Sequence, residues 1–100
     1  MNRKNAIAQA KALVAKMTLE EKASQLLYDS PAIPRLGIPS YNWWNEALHG
    51  VARGGTATSF PQAIGMAAMF DDALLQRLGD VAATEGRAKY NVFSAQGDRD

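Results

Sequence analysis

The sequence predicts an α/β protein made mostly of helices and loops, with one or two short strands. Apolar residues recur at helical spacing before residue 28 and again across residues 72–90. Residues 63–70 (AIGMAAMF) form an unbroken apolar run of the length expected for a buried parallel strand. Segments rich in proline and glycine separate these pieces, and we expect them to be loops.

The first predicted element is an amphipathic N-terminal helix at residues 1–17. Its apolar residues share one face: Ala6, Ile7, Ala10, Leu13, Val14 and Met17. Its basic polar face could touch a membrane surface or an anionic partner, but we favour a face that is simply solvated. Gln9, Lys11 and Lys16 interrupt the continuous apolar core that a secretory signal needs, so we expect a cytoplasmic protein.

A second helix is predicted at residues 18–28. Thr18 is a candidate N-cap, and Glu21, three residues later, completes a capping-box pattern. Pro31, Pro34 and Pro39 then prevent this helix from continuing, since each lacks an amide hydrogen and restricts the preceding residue. We expect residues 31–39 to form an ordered extended loop.

The second half of the chain is predicted to contain a loop, an apolar run and a long helix. Residues 50–59 hold three glycines and several small polar residues, which is typical of a loop ordered by its scaffold or of a flexible linker; we favour the ordered loop. Periodicity alone does not exclude a short buried helix at residues 63–70. Asp71 is a candidate N-cap for the helix at residues 72–90, in which Gly79 and Gly86 indicate close backbone packing.

Composition narrows the classes of partner. The chain is 47% hydrophobic and 21% charged, with 11 Lys and Arg against 10 Asp and Glu, for a formal net charge of +1. This balance does not indicate nucleic acid as a partner, and no transmembrane segment is evident. The chain has no cysteine and a single histidine, so we expect neither disulfides nor a metal site.

Residues 41–50 (YNWWNEALHG) are the most informative stretch, because they contain both tryptophans, the only histidine and a glutamate. An indole offers a flat apolar face for the C–H side of a pyranose, together with an N–H donor. A carboxylate accepts hydrogen bonds from hydroxyl groups. The combination predicts a site for a neutral sugar.

Four motifs in order resemble the N-terminal part of glycoside hydrolase family 3. They are MTLEEK at residues 17–22, IPRLGIP at 33–39, YNWWNEALHG at 41–50 and FPQAIG at 60–65. The resemblance covers roughly residues 15–100 and is strongest to the β-xylosidase and related β-glucosidase branch. It implies a (β/α)8 TIM-type barrel, which takes about 250 residues. Residues 18–100 are therefore expected to be an incomplete barrel domain, truncated at its C-terminus.

The resemblance implies that Glu46 binds hydroxyl groups of the sugar in the −1 subsite and is not the catalyst. The alternative is a surface carboxylate or a loop cap. Trp44 is expected to add a stacking or N–H contact. Trp43 is a weaker candidate, because neighbouring side chains on an extended segment point in opposite directions and one of the two is expected to enter the core.

His49 and Glu85 are candidates for supporting the site. His49 could orient the loop through ring hydrogen bonds, and we favour this structural role over direct chemistry. Glu85 projects onto the apolar side of its helix, one turn before Lys89. It either joins a polar network beneath the sugar site or forms an i,i+4 ion pair with Lys89, and we favour the ion pair.

The resemblance also implies a retaining glycosidase that removes terminal non-reducing β-D-xylosyl or β-D-glucosyl residues, without a cofactor, from a β-linked oligosaccharide or aryl glycoside. Its catalytic Asp and Glu would lie beyond residue 100, so this chain contains no catalytic residue and is expected to be inactive alone. A small non-catalytic carbohydrate-binding or interaction module remains the alternative. The sequence does not indicate the oligomeric state.

Overall fold

A computed structural model describes residues 2–99 of the chain. Met1 and Asp100, the outer ends of the predicted segments 1–17 and 18–100, lie outside the described residues. The described chain divides into two compact units, residues 2–44 and residues 45–99. The division falls inside the 41–50 motif, between Trp44 and Asn45.

The first unit begins with two helices. Helix α1 spans Arg3–Ala15, and the Asn2 side chain caps it by accepting a hydrogen bond from the amide of Lys4 at 2.8 Å. Helix α2 spans Leu19–Ser24. The predicted capping box is confirmed, because the Glu21 amide donates to Thr18 Oγ1 at 3.2 Å and the Thr18 amide donates to Glu21 Oε2 at 2.9 Å.

Helix α2 is shorter than the prediction of residues 18–28. The hydroxyl group of Ser30 donates to the carbonyl oxygen of Leu27 at 2.7 Å, and the Gln25 side chain donates to the carbonyl oxygen of Pro31 at 3.0 Å. These bonds to the following segment turn the chain out of the helix. Ser30 is 4% exposed and is one of two buried residues in the described chain.

A small antiparallel arm follows α2. Strand β1 (Asp29–Ser30) pairs with strand β2 (Tyr41–Asn42), and between them Ile33 and Ile38 form an isolated bridge. A short 3₁₀ helix at Pro34–Leu36 makes the turn and ends at a glycine with φ of 67°. The predicted extended loop at residues 31–39 is thus ordered, but it folds back on itself. Ile33, 5% exposed, is the other buried residue.

Arg35 ties this arm to both helices of the first unit. Its Nε donates to Glu21 Oε1 at 2.7 Å, its Nη2 donates to Glu21 Oε2, and the same Nη2 donates to the Lys16 carbonyl at 2.8 Å. The hydrogen bonds from Arg35, and next that from the Thr18 amide, hold the pKa of Glu21 below its ordinary value of 4.5. A planar guanidinium suits this two-point contact with a carboxylate.

The second unit contains a loop followed by two helices. The predicted loop at residues 50–59 contains no helix or strand. The expectation of a buried strand at residues 63–70 is wrong, because Ala63–Ala67 forms helix α3 and this run is exposed apart from Met66, which is partly buried. Alanine is the best helix former, and a helix satisfies its own backbone groups where a strand needs neighbours.

Helix α4 spans Asp72–Ala95 and extends five residues beyond the predicted end. The predicted N-cap is confirmed, since Asp71 Oδ1 accepts from the Leu74 amide at 3.0 Å. A Cβ on Gly86 would meet Val51 Cγ2 at 3.6 Å, which agrees with packing at that glycine. The expectation for Gly79 is wrong, because a Cβ there would meet nothing within 4 Å.

Many large apolar side chains are exposed in both units. The most exposed are Phe70 at 95%, Leu26 at 82%, Ile64 at 81%, Leu19 at 78% and Leu48 at 73%. The two strands, both in the first unit, are only two residues long each.

Across residues 2–99, no helix combines the length and the apolar character needed to cross a bilayer.

Candidate functional site

The two predicted sugar-binding residues fall in different units, Trp44 in the first and Glu46 in the second. Trp44 belongs to an aromatic cluster with Tyr28 and Trp43. Glu46 belongs to a cavity formed by the loop that precedes α3.

In the aromatic cluster, Tyr28 contacts both tryptophans. Its ring centroid lies 6.4 Å from that of Trp43 and 5.3 Å from that of Trp44, both in edge-type arrangements. The Trp43 amide donates to the Tyr28 carbonyl at 2.9 Å, which extends the pairing of β1 and β2. Tyr28 is a member of this cluster that the sequence did not single out.

The expectation that one tryptophan enters the core is wrong. Trp43 is 52% exposed and Trp44 is 55% exposed. The indole N–H of Trp43 donates to the Leu27 carbonyl at 3.0 Å, so this donor is already used within the unit. In the described part of the chain, the indole N–H of Trp44 has no such partner. Trp44 is therefore better suited than Trp43 to contact a ligand.

Glu46 is fixed through its backbone and leaves its carboxylate accessible. Its amide donates to Asn45 Oδ1 at 2.6 Å, and its carbonyl accepts from the Ala52 amide at 2.9 Å. Its Oε1 lies 3.9 Å from Arg53 Nη2, a long ion pair in which the Glu46 side chain stays 46% exposed. This carboxylate can accept hydrogen bonds from a ligand without losing a strong partner.

A cavity of about 380 Å³ lies beside Glu46 in the second unit. It is lined by Glu46, Leu48 and His49, and by residues 50–52 and 55–59 of the loop. The lining includes hydroxyl groups of threonine and serine beside one carboxylate, with apolar side chains between them. A volume of this size is in the range of small-molecule sites, and this polarity suits a neutral hydroxylated ligand.

His49 closes one end of the loop. Its backbone carbonyl accepts from the Phe60 amide at 2.7 Å, and its ring Nδ1 lies 3.1 Å from the Phe60 carbonyl oxygen. Because a carbonyl only accepts, Nδ1 must carry the hydrogen. The ring therefore leaves Nε2 as the nitrogen able to face a ligand.

Two residues of helix α4, Glu85 and Lys89, hold the loop through hydrogen bonds to residues 54–58. Glu85 accepts from the Thr58 amide at 3.0 Å and from the Thr58 hydroxyl group at 2.5 Å. Lys89 Nζ donates to the carbonyl oxygens of Gly54 at 2.5 Å and Thr56 at 2.6 Å. The Thr58 hydroxyl group, followed by the Thr58 amide and the charge of Lys89, keeps the pKa of Glu85 below its ordinary value of 4.5.

The favoured prediction of a direct Glu85–Lys89 ion pair is wrong. The ion pairs among residues 2–99 are Glu21 with Arg35 and Glu46 with Arg53. The i,i+4 spacing correctly placed both side chains on one face of the helix. Each side chain binds the loop instead, Glu85 at Thr58 and Lys89 at Gly54 and Thr56. Thr58 and Lys89 were missed as site residues, because their partners lie 27 to 35 positions away and the sequence carries no signal for such contacts.

The second unit brings one carboxylate close to several hydroxyl-bearing residues. In the part of the chain that the structure describes, no group of three or more His, Asp or Glu side chains could hold a metal ion. Glu46 and the hydroxyl groups beside it offer hydrogen-bond acceptors and donors for a polyol.

Known proteins share this stretch of sequence. The chain is 56% identical over 79 residues to xylan 1,4-β-xylosidase of Xylanibacter ruminicola, which covers 79% of this chain. It is 51% identical over 96 residues to a probable exo-1,4-β-xylosidase of Aspergillus flavus, and 46% identical over 99 residues to probable β-D-xylosidase 7 of Arabidopsis thaliana, covering 85% and 89% of this chain. No protein-family model matches.

The chain is thus similar to a segment of bacterial, fungal and plant proteins named as β-xylosidases, which are glycosidases. It spans only about a tenth of their length, since the matched parts are 9%, 12% and 13% of these three relatives.

Proposed function

We propose that this chain is the N-terminal part of the barrel domain of a retaining glycoside hydrolase of family 3. The complete enzyme removes terminal non-reducing β-D-xylosyl residues, or β-D-glucosyl residues, from β-linked oligosaccharides or aryl glycosides. The observation that carries the proposal is the identity of 46% to 56% with proteins named as β-xylosidases from three distant groups of organisms. Of the two sugars, these names favour xylose.

Glu46 is proposed as the residue that binds the sugar in the −1 subsite. Its half-exposed carboxylate faces a cavity and has only a long ion pair with Arg53. Hydrogen bonds in which one partner is charged are stronger than neutral ones, so an ionised Glu46 would fix a sugar hydroxyl group firmly. This is a binding role and not a catalytic one.

Trp44 is proposed as a stacking or N–H contact for the sugar. Its half-exposed ring and its available indole N–H support that role. Trp43, His49 and Glu85 are proposed as supports. Trp43 anchors its own segment through Leu27, His49 fixes the loop end at Phe60, and Glu85 fixes the loop at Thr58.

Catalysis requires residues outside this chain. A retaining mechanism uses two carboxyl groups about 5–5.5 Å apart, one as the nucleophile and one as the acid and then the base. In the proposed enzyme an Asp later in the barrel and a Glu in the following domain supply them. The residues of this chain bind and orient the sugar, and the 100 residues alone are proposed to be inactive.

The test begins with the DNA that follows codon 100. We expect an open reading frame that encodes the rest of a barrel. The encoded protein should release nitrophenol from nitrophenyl β-D-xyloside, with retention of the anomeric configuration as followed by NMR. A native stop codon at this position, together with sugar binding by the chain alone, would instead support a non-catalytic carbohydrate-binding module.

A further inference from the structure

Glu85 and Lys89 hold the same loop through groups of opposite polarity. They lie one turn apart on α4, and both side chains are partly buried. The carboxylate of Glu85 takes the N–H and O–H of Thr58, whereas the ammonium group of Lys89 takes the carbonyl oxygens of Gly54 and Thr56. Two adjacent charges thus satisfy donors and acceptors of one five-residue segment.

The loop conformation that makes these bonds is restricted. Arg53 and Gly55 have φ of 62° and 77°, in the left-handed region. A Cβ on Gly54 would lie 3.3 Å from Lys89 Cδ, so the lysine stem lies directly against the loop. A non-glycine residue such as Arg53 seldom adopts this conformation unless its surroundings hold it there. The bonds from α4 hold the residues that follow Arg53, at positions 54, 56 and 58.

The same segment forms one wall of the cavity beside Glu46. Gly55, Thr56, Ala57 and Thr58 all line it. The Thr58 hydroxyl group donates its only hydrogen to Glu85, so its oxygen can only accept from another partner. Loss of the Glu85 charge would therefore alter the shape of the wall and the hydrogen bonding of the Thr58 hydroxyl group. Loss of the Lys89 charge would alter the shape of the wall at residues 54 and 56.

We propose that Glu85 and Lys89 act together as positioning residues that clamp residues 54–58 into the wall of the sugar cavity, and so control binding of a terminal β-xyloside. The proposal rests on the proposed function of the complete enzyme. In this arrangement Lys89 has a role of its own, and Glu85 and Lys89 act on each other only through the loop that both of them bind. Neither residue touches the reacting atoms.

The test compares Glu85→Gln and Lys89→Met in the complete enzyme on nitrophenyl β-D-xyloside. We expect KM to rise about tenfold with kcat little changed. The reason is that the cavity wall contacts the substrate to the same extent in the ground state and in the transition state, and loss of such binding raises KM alone. Lys89→Arg, which retains charge and donors, should restore part of the binding. Asp80→Asn and Arg77→Met are matched controls on exposed positions of α4, and they should leave KM unchanged.

Two further measurements separate a clamp from a general loss of structure. Because both residues hold one segment, the double variant should raise KM about as much as one single variant, rather than by the product of the two effects. Trypsin should cut after Arg53 faster in both variants, whereas cleavage after Arg35 in the first unit should not change.

The outcomes distinguish the two proposals. If the native enzyme has no glycosidase activity, the proposed function fails and the sugar-binding role of the clamp fails with it. If the native enzyme is active but neither variant changes KM or the cleavage after Arg53, the clamp alone is overturned. Equal effects in Asp80→Asn or Arg77→Met would also overturn it.

Discussion

Thr58 donates two hydrogen bonds to the carboxylate of Glu85, one from its amide at 3.0 Å and one from its hydroxyl group at 2.5 Å. The residues are 27 positions apart, and the contact fixes the cavity loop to α4. Both bonds favour the ionised carboxylate, and the charge of Lys89 adds to them, so the pKa of Glu85 lies below 4.5.

The first prediction tests this cause. In Thr58→Val, which keeps the side-chain size but removes the hydroxyl donor, the pKa of Glu85 should rise towards 4.5. In Thr58→Ser, which keeps the donor, the pKa should stay low. Titration of the Glu85 carboxyl carbon by NMR measures both. Equal pKa values in the two variants would show that the hydroxyl group is not the main cause.

The lowered pKa also determines the direction of the pH dependence. A carboxyl group with a depressed folded-state pKa contributes stability that is present above its ordinary value of 4.5 and is lost as the pH falls through the folded-state pKa. In the complete enzyme, residue 85 cannot ionise after the substitution Glu85→Gln, so the destabilisation relative to the native enzyme should be largest at neutral pH and should diminish below pH 4.5. Urea unfolding at several pH values measures this difference.

The second prediction concerns the closest backbone approach in the loop. Gly50 has φ of 124°, and a Cβ there would lie 2.2 Å from the Thr58 carbonyl oxygen. Gly50→Ala should destabilise the complete enzyme by at least about 1–3 kcal/mol through backbone strain alone, and it should distort the cavity. The matched control is Gly79→Ala, which meets nothing within 4 Å and should stabilise α4 by about 1 kcal/mol. Urea unfolding of both variants decides the point, and equal effects would contradict it.

Local signals in the sequence predicted the helix starts well. The Thr18–Glu21 capping box and the Asp71 N-cap are present, because each depends on residues within three positions of one another. The apolar run at residues 63–70 predicts a buried strand, but an apolar run indicates only that a segment is suited to burial, and it does not show whether neighbouring strands are present. Without neighbouring strands among the described residues, local helical bonds formed instead.

The candidate site was predictable in its residue types but not in its connections. The sequence singled out Glu46, and the structure places it beside a cavity. Helical spacing put Glu85 and Lys89 on one face, but it did not show that Thr58 and two loop carbonyls would compete for them. Such contacts join side chains of α4 to loop groups 27 to 35 positions away, and no periodicity reports on them.

The third prediction concerns Arg35, which joins Glu21 to the carbonyl of Lys16. Arg35→Lys keeps the charge but loses the two-point geometry, so the turn around residue 35 should open more often. In the complete enzyme, trypsin should then cut after residue 35 severalfold faster than in the native enzyme, although trypsin accepts both arginine and lysine at this position. Arg77→Lys, at an exposed position, is the control and should show no acceleration. Unchanged cleavage at residue 35 would contradict a structural role for the pair.

The fourth prediction tests the binding role of Glu46. In the complete enzyme, Glu46→Gln keeps the side-chain size but removes the charge that strengthens hydrogen bonds to sugar hydroxyl groups, so kcat/KM should fall about tenfold or more. Circular dichroism should show an intact fold, since the side chain has only a long ion pair to Arg53. Glu20→Gln, an exposed carboxylate on α2, is the matched control. Unchanged kinetics on a panel of β-glycosides would rule out the role of Glu46.

The last prediction concerns the 100-residue chain by itself. Only Ile33 and Ser30 are buried among the described residues, whereas Phe70 and Ile64 are 95% and 81% exposed. Burial of one such side chain contributes about 1.5–3 kcal/mol, so the chain lacks much of the stabilisation of a folded domain. We expect self-association by size-exclusion chromatography, a broad thermal transition and no hydrolysis of nitrophenyl β-glycosides. Phe70→Asn removes an exposed ring at a φ of 49°, a conformation that asparagine tolerates, and should reduce association without loss of helix. A monodisperse monomer with a cooperative melt would contradict this expectation and favour an independent binding module.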